Sequence, residues 1–363
     1  MKILLIVLAL ALNGCSMGYL TTSAWRQTKL LAGRTSFDAA QRDERLTQDE
    51  RALLGEVPAV LEFAKADLKL NVGGAYSKFS FVPKDALSWV VMGARKDRFA
   101  LKTWWFPIVG TVPYKGFLEE ADAREGATAL EAEGFETWVR PAGAYSTLGW
   151  FNDPVVPSML QGGRLALTNT LIHELSHRSF WVADHVDFNE SAANVIGTFG
   201  AAQFFTQRNK VCSTTPTDSG CGPGDGALHE QSCREITQVR ELSAALTELH
   251  AGLSKIYDHG GASVLAERDL FFAAWRGRYP DLTKNWTVLN NARLMQAKLY
   301  YTRLDDLFRL VSRIGIPRFI ELVNARDDEV ANPWTWLDTS ITELNAGGFN
   351  ERQERDEQVC GLT

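Results

Sequence analysis

The run His173-Glu174-Leu175-Ser176-His177 constrains this chain more than any other feature. On a helix, residues four apart lie one turn apart on the same face. Both imidazoles then reach one divalent ion, and Glu174 lies next to them, facing an ion-bound water. Leu165, Ala166, Leu167, Leu171, Ile172 and Leu175 supply the apolar cover such a helix needs. The alternative is two ordinary core or surface histidines on a helix.

A catalytic zinc site has three protein ligands and one open position. A third His six positions after the second is one known pattern, but that position here is Ala183. The other pattern takes a carboxylate from a following helix, and Asp187-Phe188-Asn189-Glu190-Ser191-Ala192-Ala193-Asn194 fits it. A tight loop over 179–187 would return the chain antiparallel to the first helix. Ser191, Ala192, Ala193, Gly197 and Gly200 are small enough for the two helices to approach closely. Glu190 has a competing role, because Asp187 and Glu190 have the spacing of a capping box. Asp184 and His185 are alternative ligands. Asn194, one turn beyond Glu190, is a candidate partner for a ligand His or else a solvated helix position.

The rest of the sequence sets the surroundings. The chain has 363 residues, 45% of them hydrophobic and 23% charged, so disordered and low-complexity classes are excluded. The net charge of -6 argues against nucleic acid as a partner. Residues 1–14 read as a signal peptide: Lys2 precedes the apolar run Ile3 to Leu12, which is too short to anchor in a bilayer. Leu12-Asn13-Gly14-Cys15 resembles a bacterial lipobox, implying lipidation of Cys15 and an anchor in the outer membrane facing the periplasm; a plain secretory signal is the alternative. With Cys15 set aside, Cys212, Cys221, Cys233 and Cys360 remain, enough for two disulfides in three connectivities. A local Cys212–Cys221 bridge is the simplest choice.

Organisation follows from periodicity. Leu53, Leu54, Val57, Leu61, Ala64 and Leu68 recur at helical spacing. Lys78–Val82, Ser88–Val91, Phe99–Trp105, Phe135–Val139 and Ala144–Thr147 read as strands, interrupted by a helix over 117–133. From about 158 to 345 the pattern is helical, broken by a Gly/Pro loop at 212–226. The expected fold is α+β, mainly helical with a small sheet in the N-terminal half. It forms a single domain over 15–363, with its β-containing part at about 77–147.

Three stretches extend the match beyond the short motif: Ala144 to Pro154, His173 to His177, and Phe188-Asn189-Glu190. Together with Val112 to Phe117 and Asn290-Asn291-Ala292 they resemble a family of bacterial predicted zinc aminopeptidases, and Asn-Glu-x-x-Ala resembles the second zinc segment of gluzincins. The resemblance implies a zincin-like fold and one Zn²⁺ held by His173, His177 and Glu190, with Glu174 as general base acting on a peptide substrate. Tyr145, Tyr300 and Tyr301 are candidate donors to the oxyanion. Asp153 or Glu119 is a candidate anchor for a free amine. A periplasmic zinc endopeptidase and a non-enzymatic lipoprotein with a structural metal remain alternatives. Oligomeric state and substrate preference are not set by the sequence.

Overall fold

The computed structural model describes residues 28, 30–82, 88–106, 110–117, 119–142, 152–214, 224–326, 332–346 and 359–361. Cys15, Tyr145, Cys221 and the strand expected at 144–147 lie outside them. Among the described residues no helix is long and apolar enough to cross a membrane.

Helices dominate, with small antiparallel sheets in the N-terminal half, so the architecture is α+β. The short α1 (Phe37–Gln41) precedes α2 (Gln48–Ala66), which starts at a capping box between Thr47 and Glu50 and buries Leu53, Leu54, Val57, Val60, Phe63 and Ala64. The expected apolar stripe is therefore the buried face.

Two strands run longer than their sequence pattern suggests, Ser88–Arg95 and Phe135–Ala142, while those expected at 78–82 and 99–105 shrink to short pieces. β1 (Arg34–Thr35) pairs with β2 (Phe79–Ser80). β3 (Ser88–Arg95) is the centre of a three-stranded sheet, flanked by β6 (Lys115–Phe117) and β7 (Phe135–Ala142). β4 (Trp104–Phe106) and β5 (Gly110–Val112) form a separate hairpin. The expected strand over 99–105 is thus mostly irregular, joined to β3 by the isolated Ala94–Leu101 bridge. The helix expected over 117–133 is α3 (Glu120–Ala132), because Phe117 belongs to β6.

Strand alternation gives the main sheet two different faces. On one, Ala123, Ala127 and Leu130 of α3 pack against Val91 and Phe135. On the other, Met92 packs with Leu299 of α9 (Asn291–Tyr301).

The largest core joins α2 to α4 (Gly163–Ser179) and α5 (Val186–Thr214), with Leu54, Val57, Leu171, Ile172, Leu175, Phe188, Ile196 and Phe199 essentially sealed from solvent. The helices α10 (Leu304–Ile314), α11 (Ile316–Asn324) and α12 (Pro333–Asn345) close it through Leu310, Phe319 and Leu337. A second core forms where α6 (Asp225–His259), α7 (Val264–Arg278) and α9 meet, around Leu249, Leu253, Trp275 and Leu294. The short α8 (Pro280–Thr283) links α7 to α9.

Cys233 of α6 is disulfide-bonded to Cys360, which ties the C-terminal tail to that helix. Of the three connectivities, this bond is compatible only with Cys212–Cys221 as the second.

Small residues set the distance between α4 and α5. A Cβ on Gly197 would stand 2.5 Å from Asn169 Oδ1, 3.0 Å from the Asn169 carbonyl and 3.1 Å from His173 Cβ. A Cβ on Gly200 would meet Ile172 at 3.0 Å. Gly197→Ala should therefore push the helix carrying His173 outward. We expect a loss of about 1–3 kcal/mol, read as a lower melting temperature, with weaker metal binding. An unchanged melting temperature would show that the helices have slack at this point.

Candidate metal centre

α4 begins after a 3₁₀ turn (Pro157–Leu160) and ends at Phe180, which is extended. Its length places His173 and His177 on the face that meets α5, and their rings pack edge to face, 4.9 Å apart. The connection back to α5 covers only residues 180–185. Asn189 makes that tight return stable. Its Oδ1 accepts from the Val182 N–H at 2.9 Å, and its Nδ2 donates to the Val182 carbonyl at 2.7 Å. Both backbone groups of the buried turn are thereby satisfied.

Glu190 then lies one turn into α5, facing the two histidines. His173 Nε2 is 3.3 Å from His177 Nε2. Glu190 Oε2 is 3.4 Å from the first ring and 3.6 Å from the second. Four ligands about 2.0–2.1 Å from a tetrahedral ion are separated from one another by roughly 3.3–3.4 Å. The three side chains therefore fit the edges of one coordination tetrahedron, and among the described residues they alone form a group of this kind. The geometry is compatible with a metal ion; it does not identify the element.

The competing roles for these residues fail on contacts. Glu190 is not a helix cap, because its carboxylate faces the imidazoles, while the Asp187 carboxylate accepts from Trp334 Nε1. Asp184 Oδ1 accepts from the Thr111 N–H at 3.1 Å, so Asp184 serves the β4–β5 hairpin.

Charges are tuned by burial. Glu174 is only 9% exposed. Loss of water pushes its carboxyl up to about 7; His173 and Arg140 pull the other way, while Glu190 and Asp153 add to the rise. Burial also works against ionised Glu190. The neighbouring His177 and His173 outweigh it and hold this carboxyl well below the usual carboxylate range.

The raised Glu174 value has a stability consequence. Its carboxyl ionises near 4.5 when unfolded and about 7 when folded, so between those values the native state holds the extra proton and stability falls as pH rises. Glu174→Gln should therefore stabilise the metal-free protein at pH 8 by on the order of 2–3 kcal/mol and change it little at pH 4. Thermal denaturation at both pH values checks this. A variant no more stable than the parent at pH 8 would contradict a buried charge at this position.

Tyr300, at the end of α9, stacks on the His173 ring with centroids 6.3 Å apart. Burial, and after it the nearby Glu190 charge, pushes its phenol well above 10, so the hydroxyl keeps its proton. Asn194 positions this residue: its Nδ2 donates to the Tyr300 carbonyl at 2.8 Å, so it holds α9 rather than an imidazole. Ser191 assists, donating to the Leu299 carbonyl and accepting from the Thr302 N–H. Tyr301, also a candidate donor, packs instead against the two helical cores.

Asp153 is buried, 3% exposed, and its charge reaches Glu174. Glu119 is exposed at the start of α3. His250 is stacked on Phe99, and His229 contacts Thr206, so neither joins the centre.

Arg140 was not singled out by its sequence context. It lies on β7 and donates from Nη2 to the Tyr300 hydroxyl at 3.0 Å. A basic residue at period-two spacing from Trp138 on a half-buried strand is the signal that points to it.

A family model described as Putative aminopeptidase matches residues 18–330, most of the chain. No curated protein and no solved structure matches it.

Proposed function

The chain belongs to the Putative aminopeptidase family, and on that premise we propose that it is a zinc-dependent aminopeptidase with a zincin-like peptidase domain over 15–363. The single observation that carries the metal assignment is the edge lengths of the His173, His177 and Glu190 triangle, which suit one tetrahedrally bound ion. Two neutral nitrogens and one carboxylate are the donor set of catalytic zinc in peptidases of the His₂Glu type.

When bound, the ion supplies Lewis acidity and an activated water. The protein's own groups supply the proton traffic. Glu174 is a buried carboxyl with a value near 7, suited to taking a proton from the attacking water and passing it to the leaving amine. Tyr300 is held beside His173 as a neutral phenol. Arg140 occupies one lone pair of its hydroxyl, so the phenolic proton is free to stabilise a developing oxyanion. Asp153 adds negative charge next to Glu174, where the α-ammonium of a substrate gains from it.

The same reading places the protein in the cell envelope, carried by lipid on Cys15 and facing the periplasm. The Cys233–Cys360 disulfide supports an oxidising compartment. The test is a cleavage profile of the zinc-loaded protein on peptide pairs with a free or an acetylated N-terminus. Cleavage confined to free amines is expected. Equal cleavage of blocked peptides makes it an endopeptidase, and no cleavage of either ends the peptidase proposal.

A further inference from the structure

The proposed centre has a cationic wall larger than the orientation of the Tyr300 hydroxyl requires. β7 turns Trp138 and Arg140 toward α9, while Phe135 and Val139 face α3. On α9, Arg293 and Tyr300 are seven positions apart and share the face that meets this strand. The result is a ladder of two arginines and aromatic rings leading up to His173. Arg293 is sandwiched, its guanidinium carbon 4.3 Å from the Trp138 ring and 4.5 Å from the Trp286 ring. Arg140 lies 5.7 Å from the Tyr300 ring centre.

Among the described residues, no carboxylate stands within 4.0 Å of either guanidinium, whereas Arg164, Arg268 and Arg303 each have acidic partners. The Nε of both Arg140 and Arg293 is buried with no hydrogen-bond partner. The polar contacts of Arg140 are the Tyr300 hydroxyl and, at 3.4 Å, the Pro141 carbonyl; that of Arg293 is Gln296 Oε1 at 3.1 Å. Burial lowers the Arg293 value, and the nearby Arg140 charge adds to this. A buried guanidinium left unpaired costs stability, and a planar fork of donors suits a carboxylate.

We propose that Arg140, backed by Arg293, binds a carboxylate of the substrate, so that the enzyme prefers short peptides carrying a negative charge near the scissile bond. The inference rests on the peptidase reading. Asp153 and Arg140, whose opposite charges both act on Glu174, would then receive the two ends of a small zwitterionic peptide. Two sources supply the same chemistry, the C-terminal carboxylate of a di- or tripeptide and an acidic side chain.

Binding to the zinc-loaded Glu174→Gln protein, measured by calorimetry, tests this without needing turnover. The probes are trialanine, trialanine amide and glutamyl-dialanine amide. Trialanine is expected to bind about 10- to 100-fold more tightly than its amide. Arg140→Met should abolish that difference while zinc content stays unchanged. If glutamyl-dialanine amide matches trialanine, the acidic side chain is an accepted source. If it matches trialanine amide, the chain terminus is the source.

Equal affinity for all three peptides overturns the proposal. So does an Arg140→Met variant that weakens every peptide to the same degree and behaves like Tyr300→Phe, since Arg140 would then only position that hydroxyl. Should Arg140→Met fold poorly, Arg140→Gln is read in the same way, and Arg293→Met, which spares the strand, should narrow the difference between trialanine and its amide without abolishing it. Cleavage of the same peptides by the unmutated protein is scored separately, so a failure of the peptidase reading is not confused with a failure of the carboxylate site.

Discussion

Glu174→Gln is expected to lower peptide turnover by about 10³- to 10⁴-fold while one zinc per chain stays bound. The substitution keeps the shape of the side chain and removes its basicity. Glu174 is outside the triangle of ligand atoms formed by His173, His177 and Glu190, so metal content should not follow activity. Burial brings its carboxyl to about 7, near the value at which a general base is most effective at neutral pH. Turnover measured beside zinc content by elemental analysis decides the matter. Undiminished turnover would remove Glu174 from the chemistry. Loss of zinc along with turnover would make Glu174 a ligand and require a new choice of base.

The parts of the site legible in the sequence are those fixed by one element's own periodicity. His173, Glu174 and His177 belong to a single helix, so their common face follows from 3.6 residues per turn. Glu190 required one more step, a return loop short enough to keep the second helix close. The small residues Gly197 and Gly200 carried that inference, and the contacts at Asn169, His173 and Ile172 give its physical basis. What Asn189 does was hidden, because a side chain that satisfies a turn seven residues away leaves no periodic trace.

Residues brought in by distant elements were the hardest to read. Tyr300 and Tyr301 are neighbours in sequence, yet one lies over His173 and the other between two cores. The rotation of α9 decides between them, and that rotation is set by tertiary bonds from Ser191 and Asn194. From its own helix Asn194 is either a partner for an imidazole or a solvated position, and its bond to the Tyr300 carbonyl comes from a distant element that the local pattern does not show. Arg140 depends on strand pairing, which places β7 against β3 and turns its even-numbered residues toward α9. Long-range pairing also divides the strands into three small sheets, and it extends β3 and β7 beyond their local pattern because each completes the other's ladder.

Glu190→Gln should separate from Glu174→Gln in the opposite sense, losing metal first and activity only as a consequence. In the native arrangement the carboxylate faces both Nε2 atoms at 3.4 and 3.6 Å. It is the one anionic member of the proposed set, held ionised by the neighbouring His177 and His173. An amide of the same size offers a neutral oxygen in place of a charge. Zinc affinity is therefore expected to fall by more than the 10- to 100-fold typical of an outer-sphere partner. Two readouts follow. Zinc at about 1,000 times its dissociation constant stabilises the parent by about 4 kcal/mol, and the variant should show little of that rise in melting temperature at the same zinc concentration. Excess zinc should restore part of the variant's turnover, as it cannot for Glu174→Gln. A Glu190→Gln protein that still holds one zinc with parental affinity would mean that the two imidazoles find their third ligand elsewhere, and the proposed coordination by α4 and α5 would be wrong.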